Sequence, residues 1–135
     1  IDYRHQLPED LTKTKGTFDV VLNMEVIEHV TDVDAFLKAS ASLVKPGGLM
    51  VLSTINRTLK AFALAKVGAE YILRWLPVGT HDWRKFVKPS ELANGLRPYG
   101  LSITDVTGVV YNPFKDTWSL SDDLNVNYLV SAMKK

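Results

Sequence analysis

The chain has 135 residues, 46% of them hydrophobic and 10% aromatic, with 16 basic and 15 acidic side chains. That is enough material for one hydrophobic core, and a net charge of +1 gives no global field that would favour a nucleic acid partner. The absence of cysteine excludes a disulfide framework, a zinc ribbon and a thiol nucleophile, and fits a reducing compartment. Charges at Asp2, Arg4, Glu9, Asp10, Lys13, Lys15 and Asp19 interrupt residues 1–20 too often for the apolar core of a secretory leader. No uncharged apolar run approaches the ~18 residues of a membrane span, so the chain is not expected to cross a bilayer.

Ile1-Asp2-Tyr3 reads as a strand already under way. Phe18–Leu22 is a short continuous apolar run, suited to a strand buried on both faces. Thr31 or Asp32 caps a helix in which Val33, Phe36, Leu37, Ser40, Leu43 and Val44 recur at helical spacing. Pro46-Gly47-Gly48 is expected to stop that helix, and Leu49–Thr54 forms the next buried strand. Connections this short imply a parallel strand pair with a right-handed crossover.

Residues 58–76 predict a second helix, with Lys66, Glu70 and Arg74 as one narrow polar stripe. Phe62, Leu64, Val67, Tyr71, Ile72, Leu73 and Trp75 occupy the rest of its circumference. Pro89-Ser90-Glu91 opens a third helix, with Leu92 and Leu96 on one face, which ends near Gly100. Leu101–Val110 and Asn127–Met133 read as strands, joined by a polar loop holding Asn112-Pro113, Ser119 and Asp122-Asp123. The expected class is α/β, an open and mostly parallel sheet in which the last strands are the candidates for antiparallel pairing.

The near-zero net charge hides an asymmetry. Arg57, Lys60, Lys66, Arg74, Arg84, Lys85 and Lys88 stand against only Glu70 and Asp82, so the 57–88 window is +5 and the remainder −4. A basic block beside an apolar stretch suits an anionic lipid surface or an acidic ligand; it also describes an ordinary solvated face. The eight glycines contain no G-x-G pair, so no glycine-rich phosphate cradle is available.

Directly after the first strand stands Asn23-Met24-Glu25-Val26-Ile27-Glu28-His29, at the strand end where open α/β sheets bind ligands. If the chain turns into a helix there, Glu25, Glu28 and His29 share one side at i, i+3 and i+4. Two carboxylates and an imidazole suit a divalent cation, with Mg²⁺, Mn²⁺ and Zn²⁺ all allowed; the alternative is two solvated carboxylates and a packing or capping histidine. His5 and the His81-Asp82 pair are weaker candidates. Trp75, Trp83, Trp118, Tyr71 and Tyr111 either line an aromatic pocket for a flat ring or fill the core.

FDVV, EVIEHV and LVKPGG followed by a strand resemble the second half of a class I S-adenosylmethionine-dependent methyltransferase. The later runs STINRT, GAEYIL, GTHDWRKFVKPSEL and GLSITDVTGVVYNPF, with VNY, are similar to the ubiquinone-biosynthesis O-methyltransferase family, nearly continuously over residues 18–135. The resemblance implies a Rossmann-like doubly wound sheet, of which residues 1–135 form the C-terminal part, truncated so that the N-terminal glycine-rich half has no counterpart. It implies O-methylation of ring hydroxyls of polyprenyl phenol or quinol intermediates, of the 3-demethylubiquinol or 2-polyprenyl-6-hydroxyphenol type, with S-adenosylmethionine as methyl donor. Carried over by position, Met24 contacts that cofactor and Glu25, Glu28 and His29 match a divalent-metal motif, Mg²⁺ first and Zn²⁺ or Mn²⁺ as alternatives. His29 is also the candidate for a metal-free general base. Residues 57–88 correspond to a helical, basic insertion facing membrane and substrate.

The implied partners are the polyprenyl substrate, an anionic membrane surface and other ubiquinone-biosynthesis proteins. The implied location is the bacterial cytoplasm, peripheral at the inner membrane, or alternatively the matrix face of the mitochondrial inner membrane. Two other readings stay open: a non-catalytic lipid- or partner-binding fragment, and a methyltransferase for a soluble phenol.

Overall fold

A computed structural model describes residues 1–14, 17–64, 82–112 and 114–135. Its centre is a five-stranded sheet in the order β1-β2-β5-β3-β4. The strands are β1 (Phe18–Met24), β2 (Val44–Ile55), β3 (Leu101–Asn112), β4 (Thr117–Ser121) and β5 (Asn127–Lys134). The helices are α1 (Pro8–Leu11), α2 (Val33–Ser42), α3 (Leu59–Ala61) and α4 (Pro89–Leu96).

The β1–β2 pair is parallel, with Leu22 opposite Val51 and Met24 opposite Ser53. The crossover between them is α2, which Asp32 caps by accepting the Ala35 N–H at 3.0 Å. The other pairings, β2–β5, β3–β5 and β3–β4, are antiparallel. The described sheet is therefore mixed rather than mostly parallel.

Strand alternation sends every second residue to one side. Met50 and Leu52 of β2 and Tyr128, Val130 and Ala132 of β5 face Phe36, Leu37 and Ala41 of α2 and Leu92 and Leu96 of α4. All ten are essentially sealed from water, and each large apolar side chain so buried contributes about 1.5–3 kcal/mol. A smaller cluster of Ile55, Ala61 and Phe86, with Trp83 and Val126 against it, closes the carboxyl end of β2.

Among the described residues no helix covers the opposite face. Phe18, Val20, Leu22 and Met24 of β1 and Met133 of β5 are exposed there, and the β3–β4 register places Leu120 and Trp118 on the same side. The expectation that Phe18–Leu22 is buried on both faces therefore fails: β1 is an edge strand here, and only its alternate residue Val21 packs against the core.

Three local expectations also change. Pro46-Gly47-Gly48 does not end α2, which stops at Ser42, but kinks β2. Gly47 takes φ +76, and a side chain at Gly48 would press on the carbonyl oxygens of Lys45 and Asp19 at 2.9 and 3.0 Å. The 112–127 connection holds β4 as well as loop, because Trp118 and Leu120 alternate with Thr117, Ser119 and Ser121 and pair with Tyr111 and Val109. Residues 1–7 form no strand. Thr58 caps the start of the 58–76 segment through the Ala61 N–H at 3.0 Å, and the chain is described as helical through residue 64. Lys66, Glu70, Tyr71, Arg74, Trp75 and His81 lie outside the described residues.

Candidate active site

At the end of β1 the chain does not enter a helix. Glu25 adopts the left-handed conformation, φ 52, which a non-glycine residue holds only where its surroundings fix it. The fixing contacts come from β2: the Glu25 N–H donates to the Ser53 carbonyl at 3.1 Å and to its Oγ at 2.9 Å. Val26 returns to right-handed backbone, and Ile27–His29 make one 3₁₀ turn closed by the His29 N–H donating to the Val26 carbonyl at 2.9 Å.

That turn drives Glu28 inward, leaving it 5% exposed. The fully buried Thr54 donates its hydroxyl to Glu28 Oε2 at 2.9 Å. Glu25 itself is exposed at the surface, but its carboxyl end is drawn toward the protein and comes within hydrogen-bonding reach of Glu28. Loss of solvent first, and then the hydrogen bond and negative charge of Glu28, push the Glu25 carboxyl up from 4.5 to about 7; the Ser53 hydroxyl pulls it back. The Glu25 carboxyl is therefore poised to take up or release a proton near neutrality. Tyr128 beneath them donates to the Val87 carbonyl at 2.9 Å, and burial, with the negative charge of Glu91, Glu28 and Glu25, pushes its phenol up. It stays neutral and structural.

The Glu25, Glu28 and His29 convergence expected from helical spacing is only partly realised. Glu25 and Glu28 meet, while His29 stays exposed at the far end of the turn. Among the described residues no three His, Asp or Glu side chains are grouped to hold a metal ion. The physical reason is the left-handed Glu25: the i, i+3, i+4 rule requires all three residues in one helix, and the first lies outside it. The donor set does not fit the three-ligand cation site.

Ser53 and Thr54 belong to this site and were not singled out from sequence. Asn23 precedes Met24, and its buried side-chain Nδ2 has no hydrogen-bond partner among the described residues. The signal available was Ser53-Thr54 at the end of a buried strand, where two hydroxyls face a polar neighbour at little cost. Met24 is 49% exposed at the strand end.

The aromatic candidates that are described separate into two places. Trp83 donates to the Thr58 carbonyl at 3.3 Å and meets Phe62 edge-on, with centroids 6.2 Å apart. Tyr111 and Trp118 pair at 5.0 Å on the β3–β4 hairpin. His5 is exposed. In the basic window, Lys60 is bound to Asp123 at 2.5 Å and Arg57 to Glu91, so among the described residues two of its five cations carry a partner.

This architecture is that of class I S-adenosylmethionine-dependent methyltransferases. The fold matches a methyltransferase of that kind from Thermotoga maritima with TM-score 0.63 at 17% identity, over 88% of this chain and 57% of that one. It matches the magnesium protoporphyrin IX methyltransferase of Synechocystis PCC 6803, solved with bound S-adenosylhomocysteine, with TM-score 0.60 at 22% identity, over 93% and 49%.

The sequence narrows the class. Residues 2–106 match a methyltransferase domain family. Proteins called ubiquinone biosynthesis O-methyltransferase are 60% identical in Bradyrhizobium sp. (strain ORS 278) and 58% identical in Parvibaculum lavamentivorans, each over 98% of this chain and 52% of the relative. The chain belongs to the methyltransferase family and, within it, groups with those ubiquinone-pathway proteins. It spans about half the length of these relatives.

Proposed function

We propose that the chain carries the acceptor side of an O-methyltransferase acting on ring hydroxyls of polyprenyl phenols or quinols in ubiquinone biosynthesis. The observation that carries this reading is the Glu25–Glu28 pair at the carboxyl end of β1, in a chain 58–60% identical to ubiquinone biosynthesis O-methyltransferases. S-adenosylmethionine, when bound, supplies an electrophilic sulfonium methyl. Met24 is the residue that contacts it, and the rest of the pocket falls to the part of the fold that this chain does not match in its relatives.

A neutral phenol, with pKa near ~10, is a poor nucleophile. The enzyme must take the hydroxyl proton as the oxygen attacks. A carboxyl raised to about 7 is matched to that task at neutral pH, which typically contributes ~10²–10⁴-fold in rate. The Thr54 hydroxyl holds Glu28 in place, and Glu25 receives the proton. His29, one residue further on and open to solvent, is the second candidate base. The polyprenyl tail places the enzyme at an anionic membrane surface, where the 57–88 window meets the lipid and each free cation adds about 1 kcal/mol. The corresponding location is peripheral on the cytoplasmic face of the bacterial inner membrane. Among the described residues no helix is long and apolar enough to cross a membrane.

The test is a methyl-transfer assay on this chain folded together with the unmatched half of the Bradyrhizobium relative. It uses labelled S-adenosylmethionine and a short-tailed demethylated quinol. Ring methylation that E28A abolishes is expected; equal turnover in E28A removes the carboxyl pair from the chemistry. Turnover that survives in E28A but not in H29A passes the base role to His29. A soluble catechol methylated as efficiently as the tailed quinol points instead to the soluble-phenol reading. A second reading is a non-catalytic lipid- or partner-binding module, which the absence of calorimetric heat with S-adenosylhomocysteine in the reconstituted protein would select.

A further inference from the structure

The sheet ends at β4, and among the described residues no strand pairs with its outer edge. Such an edge offers a row of free N–H and C=O groups to any strand that fits, and proteins usually blunt it with a charge, a proline or a bulge. Thr117–Ser121 carries none of these. Trp118 and Leu120 are 63% and 69% exposed on one face of the strand, while Thr117, Ser119 and Ser121 give the other face hydroxyls alone.

The edge is also held in shape. The Asn112 side chain closes the turn before it, accepting the Phe114 and Lys115 N–H groups at 3.0 and 3.2 Å. Asp116 is left-handed at φ 49 and accepts the Tyr111 hydroxyl at 2.7 Å, and the Tyr111 ring packs on Trp118 at 5.0 Å. At the other end Ser121 Oγ accepts the Asp123 N–H at 3.1 Å. A strand fixed in this way loses little entropy on docking.

The pattern of β4 is its own complement. Opposed residues of an antiparallel pair share a face. Two copies of β4 centred on Ser119 set Trp118 opposite Leu120 of the second copy, twice by symmetry, and Thr117 opposite Ser121. All five residues then pair, and an aromatic side chain against an aliphatic one is a favourable cross-strand contact. Centring on Trp118 would bring Leu120 against Asp116, and centring on Leu120 would bring Trp118 against Asp122. A slip of one residue would mate the apolar face with the hydroxyl face. The strand edges with these two side chains cover less than the roughly 1,200 Å² of a tight complex, so the contact is reversible.

We propose that β4 pairs antiparallel with β4 of a second copy of this chain, about a twofold axis at Ser119, joining the two sheets edge to edge. The interface is isologous. It leaves β1, with the Glu25–Glu28 pair, at the two far ends of the joined sheet, and it holds whether or not the methyl-transfer reading does.

The experiment uses the V20K/L22K chain, in which association through the helix-free face is suppressed, and exploits the absence of cysteine. Sedimentation velocity at rising concentration is expected to show a monomer–dimer equilibrium, weakened about tenfold or more by L120K, which sets a cation on an exposed edge position at unchanged thermal midpoint. Under mild oxidation S119C should cross-link with itself, because directly opposed residues lie within disulfide reach. T117C alone should not, since its counterpart lies beyond the ~7 Å limit, whereas T117C mixed with S121C should. Four results overturn the proposal: a monomer at every concentration, a dimer that L120K leaves unchanged, S119C cross-linking no faster than T117C, or species larger than a dimer.

Discussion

Replacing Glu25 with glutamine keeps the shape of the side chain and removes its titration. In the folded chain the Glu25 carboxyl stands at about 7 against an ordinary 4.5, so the native state binds its proton more tightly than the unfolded state does. Below about pH 4.5 both states are protonated and the group costs nothing. Between about 4.5 and 7 the unfolded state ionises first, and stability falls as pH rises; above 7 the loss is complete. At about 1.36 kcal/mol per pH unit the full shift corresponds to roughly 3 kcal/mol. Because Glu25 is exposed at the surface, solvent screening reduces this to about 1–2 kcal/mol. Urea unfolding followed by circular dichroism, at several values from about pH 5 to 8, measures it. The wild-type chain should lose about 1–2 kcal/mol relative to E25Q across that range. Parallel stability curves for the two proteins would refute the raised Glu25 carboxyl.

T54V, isosteric but unable to donate, should cost about 1.5–3 kcal/mol by leaving the buried Glu28 carboxylate without its partner, and T54S should recover most of it in the same unfolding assay. A Cβ at Gly108 would lie 2.1 Å from the Asp123 backbone oxygen, so G108A should displace the β4–β5 connection and lower the thermal midpoint by several degrees. V20K and L22K, on exposed positions of the face that no described helix covers, should leave stability within about 0.5 kcal/mol while reducing concentration-dependent association in light scattering. Chelation of divalent metal should leave turnover of the reconstituted methyltransferase unchanged, since His29 does not join the two carboxylates; loss of activity restored by added Mg²⁺ would contradict the geometry.

Local signals in the sequence were sufficient wherever short-range chemistry decides. Asp32 before an apolar periodicity is a helix start, Pro89-Ser90-Glu91 another, and Gly100 ends the second of these segments at φ 75. The parallel β1–β2 pair followed from its short crossover helix. The region where a site would lie was also legible, because polar residues directly after a buried run mark a strand's ligand-facing end. What was not legible was the backbone at Glu25. A left-handed glutamate is held by Ser53, 28 residues away, and no local pattern reports a contact of that range.

The amino-acid sequence by itself determined the α/β class, the starts of α2 and α4, the methyltransferase kinship and the importance of the Asn23–His29 run. These depend on residue types and on spacings within a few turns. Only the tertiary structure decided that Glu25 and Glu28 meet without His29, that Thr54 is the partner of the buried carboxylate, that β1 exposes one face, and that β4 has a free outer edge among the described residues. Each of these depends on which distant segments pack together, and the energy that selects such packing is summed over the whole core rather than encoded at any one position.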